Sequence, residues 1–210
     1  MNAKHRQEHW QRAYRAKTEQ EVSWYQDSPE PSLALVAGAA VSPASSIIDI
    51  GGGTSHLVDH LVQRGYVNVA VLDISSAALA KAQARLGASA SVVDWIAADI
   101  TTWTPTHRYE IWHDRATFHF MVTEGDRIAY LARLRQALAP GGHAIIATFA
   151  PDGPEQCSGL PVMRYDPARL ADLLGPKFML VSSERHLHHT PSGAVQPFQF
   201  SVFKRCSVKP

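Results

Sequence analysis

The residues most able to do chemistry in this chain lie at the ends of short apolar runs. Residues 47 to 55 read Ile-Ile-Asp-Ile-Gly-Gly-Gly-Thr-Ser. Gly51 and Gly53 let a ligand lie against bare main chain where a helix N-terminus presents its N–H donors. A turn before a helix wants glycine in any case, so the loop alone is weak evidence. Asp49 lies two positions before the first glycine. A dinucleotide site keeps that place neutral because a pyrophosphate lies over it, so an acid there suits a cationic ligand group. Ser55 is small enough to keep the loop close to a ligand. His56 stands where a dinucleotide fingerprint needs its third glycine, and a side chain there holds helix and strand apart.

Two more acids follow in order. Asp73, in Val-Leu-Asp-Ile-Ser, is placed to accept from both hydroxyls of a ribose. Its competing role is a helix N-cap, although Ser75 or Ser76 could fill that place. Asp99, in Ala-Ala-Asp-Ile, is placed to accept from the exocyclic amine of an adenine, with Ile100 against the ring, and Ile74 after Asp73 joins the residues expected at the cofactor. An Asp in a loop is more often a turn residue. Three acids at three successive strand ends are harder to dismiss, because open α/β sheets bind ligands along that edge. S-adenosylmethionine, which carries an ammonium, a sulfonium, a ribose and an adenine, fits this set.

A further polar run is Trp112-His113-Asp114-Arg115-Ala-Thr-Phe-His119. His113 or His119 could serve as a base near neutral pH, and Asp114 could orient an amine or the cofactor. Pairing of Asp114 with Arg115, or capping of the turn, is the structural alternative. Arg115 joins the set expected at the cofactor.

The elements needed to position these residues are legible. Strands are expected at 46–50, 67–73, 91–97, 108–113 and 142–149, with helices at 55–64, 76–86 and 124–138 between them. This alternation predicts a parallel sheet covered on both faces. Pro140-Gly141-Gly142 stops the last of these helices. A short helix near 167–174 then precedes strand-like runs at 177–186 and 197–204. The Thr190-Pro-Ser-Gly link between those runs favours an antiparallel hairpin at the sheet edge. The first 30 residues differ: a polar helix over 5–20 carries Trp10 and Tyr14 on one face, and Ser23-Trp24-Tyr25-Gln26 follows.

Composition sets the outer bounds. The 210 residues suffice for one α/β domain. A net charge of +1 without a basic run argues against a nucleic-acid partner. No stretch reaches the ~20 apolar residues of a membrane span, and the polar N-terminus lacks a signal-type apolar core. Cys157 and Cys206 form no metal or redox motif, which suits a reducing cytoplasm. Arg185-His186-Leu-His188-His189 lacks a completing carboxylate or thiol, so no metal is expected there.

Asp49-x-Gly51-x-Gly53, Asp73, Asp99 and Leu138-Ala-Pro-Gly-Gly142 together resemble the ordered motifs of the class I S-adenosylmethionine-dependent methyltransferases. The resemblance covers about residues 45 to 150 and departs at Ser55, where many members carry a third glycine. It implies a Rossmann-like, doubly wound sheet of seven strands in three layers, mostly parallel with an antiparallel last strand. It also implies that the segment after the fourth strand faces the transferring methyl group. Residues 1–30 are more loosely similar to the lid of a subgroup that includes protein-lysine methyltransferases, so Trp10, Tyr14 and Trp24 are expected to cover the cofactor. Residues 31–210 would then form the methyltransferase domain. The acceptor, a protein lysine or a small molecule, and the oligomeric state are not legible. A dinucleotide-dependent oxidoreductase and a non-catalytic cofactor-binding protein are the competing readings.

Overall fold

A computed structural model describes residues 3–207. Seven strands form one sheet: β1 (Ile47–Ile50), β2 (Val69–Asp73), β3 (Val93–Ala97), β4 (Tyr109–Arg115), β5 (Leu138–Phe149), β6 (Phe178–His189) and β7 (Val195–Arg205). Their spatial order is β3-β2-β1-β4-β5-β7-β6. The pairings from β3 through β5 are parallel, while β7 runs antiparallel to both β5 and β6. The edge hairpin and the antiparallel last strand are therefore as expected. The parallel strands read as apolar runs because both of their faces are covered: all residues of β1 and β2 are buried.

Six helices build the outer layers: α1 (Ala3–Ala16), α2 (Ser32–Ala39), α3 (Leu57–Gln63), α4 (Ser76–Leu86), α5 (Glu124–Ala137) and α6 (Pro167–Leu174). Leu33 and Val36 of α2, Leu57 and Leu61 of α3 and Leu79 of α4 pack with Ile47, Val69 and Ile111 on one face. Tyr130 and Leu134 of α5 and Leu170 and Leu174 of α6 pack with Ile48, Leu72 and Trp112 on the other. α4 begins where Ser75 accepts from the Ala78 N–H, and α5 where Thr123 accepts from Asp126. Proline 140 and glycines 141 and 142 end α5 as expected, but the turn itself lies inside β5. Gly141 has φ 80°, and a Cβ on Gly142 would lie 2.7 Å from the Glu110 carbonyl oxygen of β4.

β1 has β2 on one side and β4 on the other, so the chain reverses its winding between β1 and β4. A crevice opens at the carboxyl ends of strands at such a reversal. α1 lies across that end. Its Tyr14 carbonyl and the Lys17 carbonyl just past its end accept from Lys81 Nζ of α4, and Gln11 bonds Ser75, Ser76 and Ala77 at the start of α4. A lysine at the carbonyl end of a helix also complements its dipole. No helix among the described residues is long and apolar enough to cross a membrane.

Candidate functional site

Three glycines bring the main chain of the β1–α3 turn against its neighbours. A Cβ on Gly51, whose φ is 68°, would lie 1.8 Å from Thr117 Oγ1. One on Gly52 would lie 2.6 Å from Asp49 Oδ2, and one on Gly53 (φ 50°) would lie 2.4 Å from the Tyr14 hydroxyl. No side chain fits at any of the three, which is the stricter form of the sequence argument. Ser55 caps the next turn through Oγ to the Leu57 N–H. His56 opens α3 and turns towards Glu19 and the Tyr25 ring, away from the helix–strand contact.

The crevice holds a cavity whose open volume, solvent mouth included, is about 780 Å³. Leu72, Asp73, Ile74, Ala98, Asp99 and Ile100 line it from the ends of β2 and β3. Trp10, Tyr14, Trp24, Phe120 and Cys157 also line it, and Tyr14 lies beside Asp73 above Gly53. A smaller polar cleft adjoins it, lined by Asp49, Gly52, Thr54, Ser55 and His113 among others. Gly51, Trp24 and Arg115 line both. Asp49, Gly51, Ser55, Asp73, Ile74, Asp99, Ile100, Arg115, Trp10, Tyr14 and Trp24 are thus all brought to one connected space. Of the expected cofactor set, Gly53 borders it from beneath Tyr14 and Asp73.

Asp73 is buried and accepts from the Ser75 N–H at 2.7 Å. Burial pushes its carboxyl up to about 7, with the charge of Asp49 adding and the N–H groups of Ser75 and Gly53 opposing. Such a carboxylate lacks partners for its full charge, and the hydroxyls of a ribose would supply them. Asp99 is more fully engaged. Its Oδ1 accepts from Thr101 N and Oγ1, and its Oδ2 accepts from Arg6 Nε and Nη2 at 3.2 and 2.9 Å. Arg6 Nη1 also reaches Asp126 Oδ1 at 3.0 Å, so α1 is tied to the ends of both β3 and α5. All four acceptor positions of Asp99 are taken, and an adenine amine would have to replace one of them.

Arg115 is the least satisfied group in the site. Nη1 donates to the Trp24 carbonyl at 3.1 Å and the guanidinium lies 4.8 Å from the Phe198 ring centre. Nη2 is buried with no partner among the described residues. No ion pair with Asp114 forms, contrary to the alternative raised above. Burial brings the Arg115 pKa down to about 10, so it remains a cation at neutral pH. A buried guanidinium N–H without an acceptor calls for an anionic ligand group.

His113, Asp114 and His119, expected at the transferring group, are all buried, and of the three His113 lines the smaller polar cleft. His113 is buried with both ring nitrogens committed, Nδ1 to Asp49 Oδ1 at 2.7 Å and Nε2 to Ser32 Oγ at 2.9 Å. It supports Asp49 from behind the glycine turn. Asp114 is fully buried and accepts from the N–H groups of Thr117 and Phe118 and from the Tyr130 hydroxyl. Burial raises its carboxyl to about 6 against those three donors and His113. It shapes the turn in which Ala116 takes φ 71°. His119 is fully buried beside Phe120 and Phe149, and burial pushes its pKa down to about 3, with Arg115 adding. Neither of its nitrogens has a partner among the described residues. None of the three lines the larger cavity.

Sequence reasoning also missed several walls. Cys157, which belongs to no sequence motif, forms part of the cavity from a short hairpin (residues 156–157 and 160–161) after β5. Burial raises its pKa to about 11, which keeps it a thiol. Arg6, Thr117, Phe120 and Met121 were not singled out either. Of the histidine cluster on β6, His188 is buried and bonds the Ser23 carbonyl at 2.7 Å, whereas Arg185 pairs with Asp152. No group of three potential metal ligands occurs among the described residues.

Comparison with known proteins agrees with this geometry. Residues 47–142 match the family model described as a methyltransferase domain. Over 147 residues the chain is 26% identical to the eEF1A lysine and N-terminal methyltransferase of Danio rerio, covering 68% of this chain and 21% of that protein. The chain therefore spans about a fifth of that relative's length. Among solved structures, one concerns the conversion of a disulfide bond into a thioacetal group during echinomycin biosynthesis. It superposes with a TM-score of 0.77 at 20% identity, covering 98% of this chain and 94% of that one. A SAM-dependent methyltransferase from Anabaena variabilis superposes with a TM-score of 0.76 at 16% identity, covering 98% and 96%. The N-methyltransferase NodS from Bradyrhizobium japonicum, solved with S-adenosylhomocysteine, gives 0.65 at 14% identity, covering 93% and 97%. Residues 47–142 accordingly resemble a methyltransferase domain, and the chain shares the fold of these solved structures.

Proposed function

We propose that this chain is an S-adenosylmethionine-dependent methyltransferase acting on a small molecule. The observation that carries the reading is the continuity of one lined space. It runs from a buried carboxylate on β2, over a side-chain-free glycine turn, to a buried guanidinium with a free N–H. When bound, the cofactor supplies a methyl group on a sulfonium centre. Asp73 accepts the ribose hydroxyls, and Ile74 and Ile100 enclose the adenine. Asp99 receives the adenine amine in place of one of its present donors. Asp49, held by His113, faces the ammonium, and Arg115 Nη2 donates to the carboxylate. Trp10, Tyr14, Trp24 and Phe120 exclude water, so the chain contributes mainly orientation and desolvation.

Residues 1–30 serve as a lid in this reading, supported by the three aromatic residues and Arg6 that they bring to the cavity. We place the enzyme in the cytoplasm, as its two free cysteines favour. The eEF1A-directed relative makes a protein lysine the second reading for the acceptor. The aromatic-lined cavity suits a small molecule more directly.

Two variants test the cofactor assignment. Asp73→Ala and Arg115→Met should each weaken S-adenosylmethionine binding by about 1–3 kcal/mol, the scale of a buried partner left unsatisfied. Parent-like affinity in both, measured by calorimetry on folded protein, would remove the assignment.

A further inference from the structure

The glycine turn between β1 and α3 is built from residues with little conformational preference of their own. Gly51 and Gly53 take φ of 68° and 50°, and glycine occupies many other values as readily. Upstream, main chain fixes the turn: the Leu72 carbonyl accepts from the N–H groups of Gly51 and Gly52 at 2.6 and 3.3 Å. Downstream, one side chain does so. Arg85, in the last turn of α4, donates from Nη1 to the Thr54 carbonyl at 3.1 Å and from Nη2 to the Ser55 carbonyl at 3.0 Å.

The same guanidinium reaches two carboxylates. Nε and Nη2 make a two-point contact with Asp59 of α3 at 2.9 and 2.7 Å, and Nη1 pairs with Glu19 Oε1 at 2.8 Å. Its five N–H groups therefore face five acceptor oxygens. These belong to α3, to the end of the glycine turn and to the segment leading to Trp24. Glu19, Thr54 and Ser55 all line the smaller polar cleft, which Arg85 does not. A basic residue at the end of a helix gains from the helix dipole, and a half-exposed pair with Asp59 contributes little. Neither role uses the two carbonyls or Glu19. A trans peptide plane points its N–H opposite its carbonyl, so holding the Thr54 and Ser55 carbonyls fixes the N–H directions of Ser55 and His56. A lysine, with three donors on one point charge, cannot reproduce the planar fork that reaches all five oxygens.

We propose that Arg85 is a positioning residue for the amino-acid end of the cofactor. It acts from behind the cleft, holding the glycine turn and Glu19 in one arrangement. This rests on the reading above, in which the ammonium and carboxylate lie by Asp49 and Arg115 and the adenosine lies by Asp73 and Asp99. The adenosine subsite is held by other groups: Ser75 bonds Asp73, while Thr101 and Arg6 bond Asp99. Loss of Arg85 therefore falls on one end of the cofactor and spares the other.

Two ligands separate the ends. S-adenosylhomocysteine carries the amino-acid group, and 5′-methylthioadenosine keeps the adenosine without it. Affinities of both are measured by calorimetry on the parent, Arg85→Lys and Arg85→Gln, the second variant serving if the first does not fold. The proposal expects S-adenosylhomocysteine to bind about tenfold or more weakly in the variants, the scale of lost hydrogen bonds to a charged group. The affinity for 5′-methylthioadenosine should stay within about twofold, as no group that holds its subsite is altered. Bound S-adenosylhomocysteine should also slow amide exchange across residues 17–26 in the parent and do so less in the variants. Equal weakening of both ligands overturns the proposal, because Arg85 then serves the fold alone. So does parent-like affinity for S-adenosylhomocysteine, and so does an exchange pattern that the variants leave unchanged. A parent that binds neither ligand overturns the methyltransferase reading instead.

Discussion

Asp73 joins a stability effect and a binding effect of opposite sign. Its folded carboxyl is raised to about 7 by burial, whereas an unfolded Asp titrates near 3.9. Between those values the folded chain holds a proton that the unfolded chain releases. The contribution to stability is thus full below about pH 4 and is lost as pH rises through about 7. Thermal melts from about pH 5 to 8 should show the parent losing stability that Asp73→Asn does not lose. Cofactor affinity should run the other way, falling towards tenfold per unit below about pH 7, since only the ionised carboxylate accepts from both hydroxyls. Parallel melts and a flat affinity profile would contradict this account of Asp73.

His119 separates the expected base from the observed side chain. His119→Phe removes two unpartnered buried nitrogens from a site already flanked by Phe120 and Phe149. It should leave the melting temperature unchanged or higher and turnover within a few-fold. A general base would cost about 10²-fold or more, so a loss of that size restores the base. The glycines and Asp73 were legible because a turn and a strand end admit few alternatives. The surroundings of His113 and Asp114 were not legible because their stretch of β4 is buried on both faces. Sequence could not say that their polar atoms would be spent on Asp49, Ser32, Tyr130 and the turn after β4.

α1 is the element whose docking is most separable from the core. Arg6 ties it to Asp99 and Asp126, Gln11 ties it to α4, and Lys81 ties down its carbonyl end. Arg6→Ala should speed amide hydrogen exchange across residues 3–16 while lowering the global melting temperature by a few degrees at most. Exchange confined to parental rates would show that the clasp does not hold the helix. The aromatic face of α1 was visible as Trp10 and Tyr14 four residues apart. Arg6 was not, because its partners lie 93 and 120 residues away. The hairpin carrying Cys157 was likewise missed, as two residues per strand leave no periodicity to read.

At the scale of the whole molecule, alternation of strand and helix foretold the parallel part of the sheet, and a glycine-containing link foretold its antiparallel edge. What alternation could not show is how tightly the β1–β4 reversal, the glycine turn and α1 converge on one space. That convergence distinguishes a cofactor site from three acids at three strand ends. It also separates the proposal from a dinucleotide enzyme, whose pyrophosphate would meet the Asp49 carboxylate directly beside Gly52. The most direct test is a calorimetric titration of the purified protein with S-adenosylmethionine, with NAD as the matched control. Micromolar binding of the first and none of the second is the predicted result. Binding of NAD alone would contradict the account at its centre.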